Sequence, residues 1–347
     1  MAASRNRSIG HLLTPMGTPC MSRRKLLATM ASLPVLWPGA PARSARAAVF
    51  PARPVRMVVP YSVGVGPDVV ARSVAQQLAS SWGQPVLVDN KPGASGIVAF
   101  GEARRVAADG HTLFLADTAT LAVNPLLHAS LPYDPVRDLE PLTLLFRATF
   151  LLWVGGASRH QSITELLEVA RRAPGSVSYA TLGNGHASHV AIELLARAAG
   201  VQMLHVPFKD AGALLAAVVS GDVDFTAFGV HTVAGLFASG RLRPLAVAAK
   251  QRLAGHPQIP TLLEAGAPGV EMHPWAALVT VAGTPPQVLA QLQRDIVAAL
   301  MTAQVRSRAE QAGFEITPST PQALRERIAA DTRLYAPLIS EGRIAQM

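Results

Sequence analysis

The chain has 347 residues, half of them hydrophobic, which is enough to bury two α/β cores. Its net charge of +9 is unevenly placed: Arg5, Arg7, Arg23, Arg24, Lys25, Arg43 and Arg46 fall in the first 47 residues, which hold no Asp or Glu, leaving +2 for the rest. A folded domain so nearly neutral is not expected to bind nucleic acid.

The basic N-terminus has the order of an export signal. Ser22-Arg23-Arg24-Lys25-Leu26-Leu27 resembles a twin-arginine leader, with Leu26 where phenylalanine is commoner. The apolar run over 26–37 is too short to span a bilayer, and Ala45-Arg46-Ala47 offers small residues for cleavage before Ala48. Residues 1–47 are therefore expected to be a cleaved signal for the twin-arginine or the general secretory route, with Met21 an alternative start to Met1. The expected location is the periplasm. Cys20, the single cysteine, falls in the signal, so the remaining chain needs no disulfide framework. No later run reaches about 18 apolar residues, and no membrane span is expected.

Beyond the signal, short apolar runs alternate with amphipathic ones, the mark of a parallel α/β architecture. Strands are expected over 55–59, 86–88 and 113–116. A helix over 69–82 lies between the first two: Val70, Val74 and Leu78 recur at helical spacing, Asp68 is placed to cap it and Gly83 to stop it. A second set of strands is expected over 150–154, 177–180, 203–206, 223–227 and 245–248. Helices fit between them at 163–172, with Ser162 as cap and Pro174-Gly175 as stop, and at 189–199, where Glu193 and Arg197 form an exposed i,i+4 pair. Thr284-Pro285 reads as N-cap and first-turn proline of a helix reaching about Met301, and 324–338 as another helix. No Ser/Gly linker separates the two sets. The chain is expected to cross between lobes near 149 and 272, so that 48–149 and 272–347 make a discontinuous first lobe and 150–271 the second.

Two segments share one grammar. RMVVPYSVGVGPDVVARS from Arg56 and VSYATLGNGHASHVAIELLARAAG from Val177 each run strand, glycine-broken turn, helix. Such a turn aims backbone N–H groups at whatever lies above it, and the helix dipole adds partial positive charge, so each is a candidate anion cradle. Rival chemistries fare worse. Gly64-x-Gly66 and Gly183-x-Gly185 lack the third glycine of a dinucleotide fingerprint, with Val69 and Ser188 in its place. Gly93-Ala94-Ser95-Gly96 is one residue short of a nucleophile elbow and reads as a polar turn. His186 and His189 have no acidic or thiol partner at ligand spacing, so helix-start hydrogen bonding or ligand contact is expected of them, and neither metal nor cofactor. Lys209 follows a strand's carboxyl end, where open α/β sheets bind ligands, and is either a solvated charge or a carboxylate partner. Tyr61, Phe208, Phe228 and Trp275 are candidates for apolar cleft walls or for core.

Several longer segments occur in a distinctive order: PARPVRMVVPYSVGVGPDVVAR from Pro51, VLVDNKPGASGIVA from Val86, AADGHTLFLADTATLAVNPLL from Ala107 and LPYDPVRDLEPLTLL from Leu131. VSYATLGNGHASHVAIELL from Val177, HVPFKDAGALLAAVVSGDVDF from His205, GRLRPLAVAAKQRLAGHPQIPTLLEAG from Gly240 and AGTPPQVLAQL from Ala282 follow. Together they resemble the Bug family, the TctC-like periplasmic receptors of tripartite tricarboxylate transporters, from about Phe50 to Arg343. The resemblance implies an α/β fold of the type II periplasmic binding protein kind, two lobes closing on a ligand in the cleft between them. It implies a monomeric receptor rather than an enzyme, without cofactor, that binds a small organic carboxylate and hands it to membrane permease subunits. The carboxylate would be held by Tyr61, Ser62, Val63 and Gly64 of the first turn and by Thr118 and Thr120 of the same lobe. The second lobe would offer Thr181, Gly183, Asn184, Gly185 and His189, with Phe208 and Lys209 nearby.

The chain departs from the family pattern twice. Ser62-Val63-Gly64-Val65 replaces the usual proline-proline-glycine-glycine, freeing φ at one position and restricting it at another. Phe228-Gly229 stands where an Asp-Asn pair is frequent, and an aromatic ring there argues for an apolar or aromatic acid over one carrying an ammonium group. The main alternative is a ligand-sensing receptor of the same fold that feeds a signalling partner. An exported hydrolase would need a convergent nucleophile, base and oxyanion hole, which the sequence does not display. A transcriptional regulator would need an N-terminal helix-turn-helix where the leader stands.

Overall fold

The computed structural model describes residues 50–347; the expected signal, its expected cleavage point and Cys20 lie outside the described residues. The first lobe opens with β1 (Val55–Val59), α1 (Gly66–Trp82), β2 (Val86–Asn90), α2 (Ile97–Phe100), β3 (Thr112–Asp117), α3 (Asn124–Leu127) and β4 (Leu139–Arg147). A second sheet follows from β5 (Leu151–Gly155), α4 (Ile163–Arg172), β6 (Ser178–Thr181), α5 (Ala187–Ala199), β7 (Leu204–Pro207), α6 (Ala211–Ser220), β8 (Phe225–Phe228), α7 (Ala234–Ala238) and β9 (Leu242–Val247). The chain returns through β10 (Trp275–Val281) and ends in α8 (Pro286–Leu300), α9 (Ala303–Gln311), β11 (Glu315–Ile316) and α10 (Pro321–Ser340).

The strand orders are β11-β4-β10-β3-β1-β2 and β7-β6-β8-β5-β9. β1 pairs in parallel with β2 and β3, and β6 with β7 and β8. The parallel architecture expected from the sequence is corrected at three strands, of which β11 runs antiparallel to β4. β10 runs antiparallel to β3 and β4, and β5 antiparallel to β8 and β9. Both enter their sheet from the other lobe, so they run against strands laid down by local βαβ crossovers. The crossing segments hold each other through Ala148 N–H to Pro274 O (2.8 Å) and Phe150 N–H to Met272 O (3.1 Å).

Alternation along the strands places a core on each face of each sheet. In the first, Val55, Met57, Val59, Leu113 and Leu115 pack under α1 and α8, while Val58, Phe114, Ala277 and Val279 meet Phe100 and Leu324 on the other side. In the second, Leu152 and Val154 face α4 and α5, and Leu151 and Trp153 face α6. Fully burying such a side chain stabilises by roughly 1.5–3 kcal/mol. A smaller apolar seam joins the lobes: Ala122, Val123 and Leu127 from one side, Val190 and Leu194 from the other, with Tyr335, Leu338 and Ile344 between.

Several local expectations need correcting. α1 begins at Gly66 with Val65 as N-cap, so Asp68 sits inside its first turn. The Thr284 hydroxyl donates back to Val281 O (2.8 Å), leaving Pro285 at the N-cap of α8 and Pro286 in its first turn. Glu193 is buried, accepting from the Tyr179 hydroxyl (2.6 Å) and Arg343 (3.1 Å), while Arg197 pairs with Glu341 (2.8 Å). Packing of the C-terminal segment across α5 removes both residues from the i,i+4 arrangement. By contrast, the Ser162 Oγ accepts the Glu165 N–H (3.1 Å), and Gly83 ends α1 in the left-handed region (φ 63°). Among the described residues no helix is long and apolar enough to cross a membrane.

Candidate functional site

A cavity of about 770 Å³ lies between the sheets, walled by loops that leave the carboxyl ends of β1, β2 and β3 on one side and of β6, β7 and β8 on the other. Its size suits a small ligand, and its position is where open α/β sheets bind one.

On the first lobe, the turn after β1 is shaped from beneath by a buried carboxylate. Asp68 accepts from the Gly64 N–H (2.8 Å), Arg72 Nε (2.9 Å) and Asn90 Nδ2 (2.7 Å), and Asn90 also donates to Tyr61 O (2.9 Å). Burial opposes ionisation of Asp68, but these donors outweigh it and hold the group below the ordinary carboxylate range. The Gly64 N–H is therefore consumed by Asp68, and Gly64 is not on the cavity wall. Val63 is also off the wall, its side chain 69% exposed. Ser62 lines the cavity, and its N–H and that of Val63 meet no acceptor among the described residues.

The Tyr61 ring lines the cavity, but its hydroxyl donates to Asp117. Burial, reinforced by the Asp117 charge, raises the phenol well above its ordinary range, so that proton stays with the pair. Thr120 is fully buried and braces Asp117 instead of facing a ligand: its N–H donates to Asp117 Oδ1 (2.8 Å) and its hydroxyl accepts the Asp117 N–H (2.7 Å). Thr118 lines the cavity while its hydroxyl accepts from Trp275 N–H (3.2 Å), tying this wall to β10. The Gly93-Ala94-Ser95-Gly96 turn, read from sequence as a mere connection, contributes Gly93, Ser95 and Gly96 to the wall. Ala94 and Ser95 both have positive φ (45° and 48°), a strain that clusters at binding sites. Gly96 is required there, because a Cβ would lie 2.3 Å from Thr120 Cγ2.

The turn after β6 closes on itself. The Thr181 hydroxyl, fully buried, accepts the Gly183 N–H (3.2 Å) and pairs with His205 Nε2 (2.6 Å). The Gly185 N–H goes to His189 Nδ1 (3.2 Å), and Asn184 donates to Ala345 O (2.9 Å). Thr181, Gly183, Asn184, Gly185 and His189 lie off the cavity wall, the Gly183 and Gly185 N–H groups and the Asn184 side-chain amide bonded within the protein, while His189 Nε2 is buried with no partner among the described residues; Phe208 is off the wall too, packed into the second lobe's core. His189 and His205 stack with centroids 3.7 Å apart, and burial keeps both below the ordinary imidazole range.

What this turn presents is His186, for which the sequence favours helix-start hydrogen bonding or ligand contact over a metal. As N-cap of α5 it accepts the Ser188 N–H at Nδ1 (3.2 Å), which places the proton of the neutral ring on Nε2. Burial lowers its pKa to about 4, only partly opposed by Asp117 across the cleft. His186 is therefore a neutral N–H donor on the wall. Lys209 also lines the cavity and makes no ion pair among the described residues, while Asp210 caps α6 by accepting the Ala213 N–H (2.9 Å). Phe228 is on the wall, joined by Phe146, Phe150, Trp275 and Phe314. Among the described residues no group of His, Cys, Asp or Glu is arranged to hold a metal ion.

Residues 70–343 match the family model described as the tripartite tricarboxylate transporter family receptor. The chain is 32% identical over 325 residues to a protein from the tcbD–tcbE intergenic region of Pseudomonas sp. strain P51, covering 93% of this chain and 96% of that one. It is 32% identical to protein BugT of Bordetella pertussis over 84% of this chain and 90% of that one. Among solved structures, an R. palustris protein with adipate superposes with a TM-score of 0.77 at 29% identity, over 86% of this chain and 100% of the other. MatC from Rhodopseudomonas palustris with bound malate gives 0.73 at 29% identity, over 83% and 99%. The periplasmic binding protein BugD gives 0.73 at 28% identity, over 86% and 100%.

Proposed function

The chain belongs to the receptor family of tripartite tricarboxylate transporters, and we propose that it captures a small organic carboxylate outside the cytoplasm and delivers it to the permease subunits of such a transporter. The family consists of solute-binding receptors, not enzymes, so the ligand leaves unchanged. One observation carries the reading: the cavity between the sheets gathers on its wall the Lys209 ammonium, without an ion pair among the described residues, the His186 Nε2–H and the Ser62 turn. Neutral donors and one cation suit an anion that must be desolvated on capture and still released. The adipate and malate held by related structures support the same ligand class.

Closure of the lobes would bring His186 and Lys209 of one toward Ser62 of the other. The apolar seam around Leu127, Val190 and Ile344 is the natural pivot, because it already joins the lobes to one side. Residues 1–47 would supply export to the periplasm, and the receptor would act as a monomer. A thermal-shift screen against a carboxylic-acid library tests the proposal. At least one acid should raise Tm by several degrees while its amide does not; equal shifts with acid and amide would contradict it.

A further inference from the structure

Six aromatic side chains line the cleft of a chain that is only 5% aromatic, far more than chance would place there. They come from both lobes and are held in place by the protein itself. Phe146 and Phe314 stack with centroids 4.2 Å apart on the first lobe, and Phe150 and Phe228 meet edge-on at 6.4 Å on the second. Trp275 is anchored by its Nε1–H to Asp331 (2.6 Å), and Tyr61 by its hydroxyl to Asp117. Rings fixed before binding lose little entropy when a flat ligand slides between them, and aromatic pairs add to the area they bury.

The charges on the wall narrow the class further. Among the described residues Lys209 is its single Lys or Arg, while Asp117 and Asp210 are both acidic. A ligand with two or three carboxylates would set one of them against Asp117, where like charges repel in a partly desolvated site. Nor is Asp117 open for an ammonium group: Oδ1 takes the Thr120 N–H, and Oδ2 takes the Tyr61 hydroxyl.

From the wall of rings and its lone cation, we infer that the cleft selects a flat aromatic monocarboxylate, its ring between Phe146/Phe314 and Phe150/Phe228 and its anionic end toward Lys209 and His186. The inference rests on the carboxylate-receptor reading and specifies its ligand. The aromatic body takes the place of the second polar group that a dicarboxylate receptor must satisfy. Phe228, on the wall of the second lobe, is a specificity-determining residue for that body.

Calorimetric titration of the full chain tests it, with benzoate, phenylacetate and 2-naphthoate set against cyclohexanecarboxylate, hexanoate, adipate, citrate, phenylalanine and benzamide. At least one aromatic acid should bind tenfold or more tighter than every saturated acid. Phe228→Leu should reduce that preference, and Phe314→Leu provides a second test if the first variant misfolds. Tightest binding by adipate, citrate or a saturated monoacid would overturn the aromatic inference and leave the carboxylate reading intact. Tightest binding by phenylalanine would overturn it by showing that the cleft reads an ammonium group. Benzamide binding as well as benzoate would overturn the carboxylate reading itself.

Discussion

The turns after β1 and β6 are written in the same grammar and do opposite things. The first is supported by a buried carboxylate that consumes one N–H and leaves those of Ser62 and Val63 without an acceptor. The second spends its Gly183 and Gly185 N–H groups on Thr181 and His189 and presents a side chain, His186, to the cavity. A glycine-rich strand-to-helix turn is therefore only potentially an anion cradle: what else accepts its N–H groups decides.

Acid should separate the two turns most strongly. His186, His189 and His205 all belong to the second turn or its support, and each is held below the ordinary imidazole value of 6.5. The unfolded chain then takes up protons first, so stability is complete above pH 6.5 and lost as pH falls from there toward about 4. Asp68, lowered from 3.8, keeps its contribution throughout that window and loses it only at lower pH. Urea denaturation at pH 7.5 and 5.5 should differ by about 1 kcal/mol for each imidazole. A pH-independent midpoint over that range would show that these rings are not buried neutral.

Asp68→Ala should be the most damaging single change, costing about 3 kcal/mol because Arg72, Asn90 and the Gly64 N–H lose their shared acceptor. Thr181→Val removes one neutral partner from the second turn and should cost about 1 kcal/mol. Equal losses in chemical denaturation would erase the distinction between the turns. Next come the glycines of the second turn. Gly185→Ala would put a Cβ 2.2 Å from Leu127 Cδ1, an overpacking worth about 2 kcal/mol at the lobe seam. Gly183→Ala meets nothing within 4 Å and carries only the strain of its positive φ, about 1 kcal/mol. His186→Ala should lose about tenfold or less in affinity, since it removes one neutral donor, and about 1 kcal/mol in stability, since it also removes the side-chain cap of α5.

How far the sequence spoke depends on whether local pattern or distant packing made each feature. β1 and α4 are legible because a short run rich in valine and an amphipathic stripe with a serine cap are local signals. β10 is buried along its whole length and follows the crossing expected near 272, but its antiparallel place between β3 and β4 carries no local sequence mark. In the site, Phe228 was legible as a departure from family pattern, and Lys209 from its place after a strand. Phe146 and Phe314 come together from segments far apart in the chain, so their stacking has no local sequence mark. His186 carried a readable clue, since a histidine capping a helix after a strand points toward the sheet's carboxyl edge.

Amide chemical shifts during titration with a bound acid test the central distinction directly. Ser62 and Val63 should show the largest backbone N–H changes, along with the His186 side-chain Nε2–H, while Gly183 and Gly185 move little. Large shifts at Gly183 and Gly185 with Ser62 and Val63 unmoved would contradict the account, placing the anion on the turn whose donors are assigned to the protein.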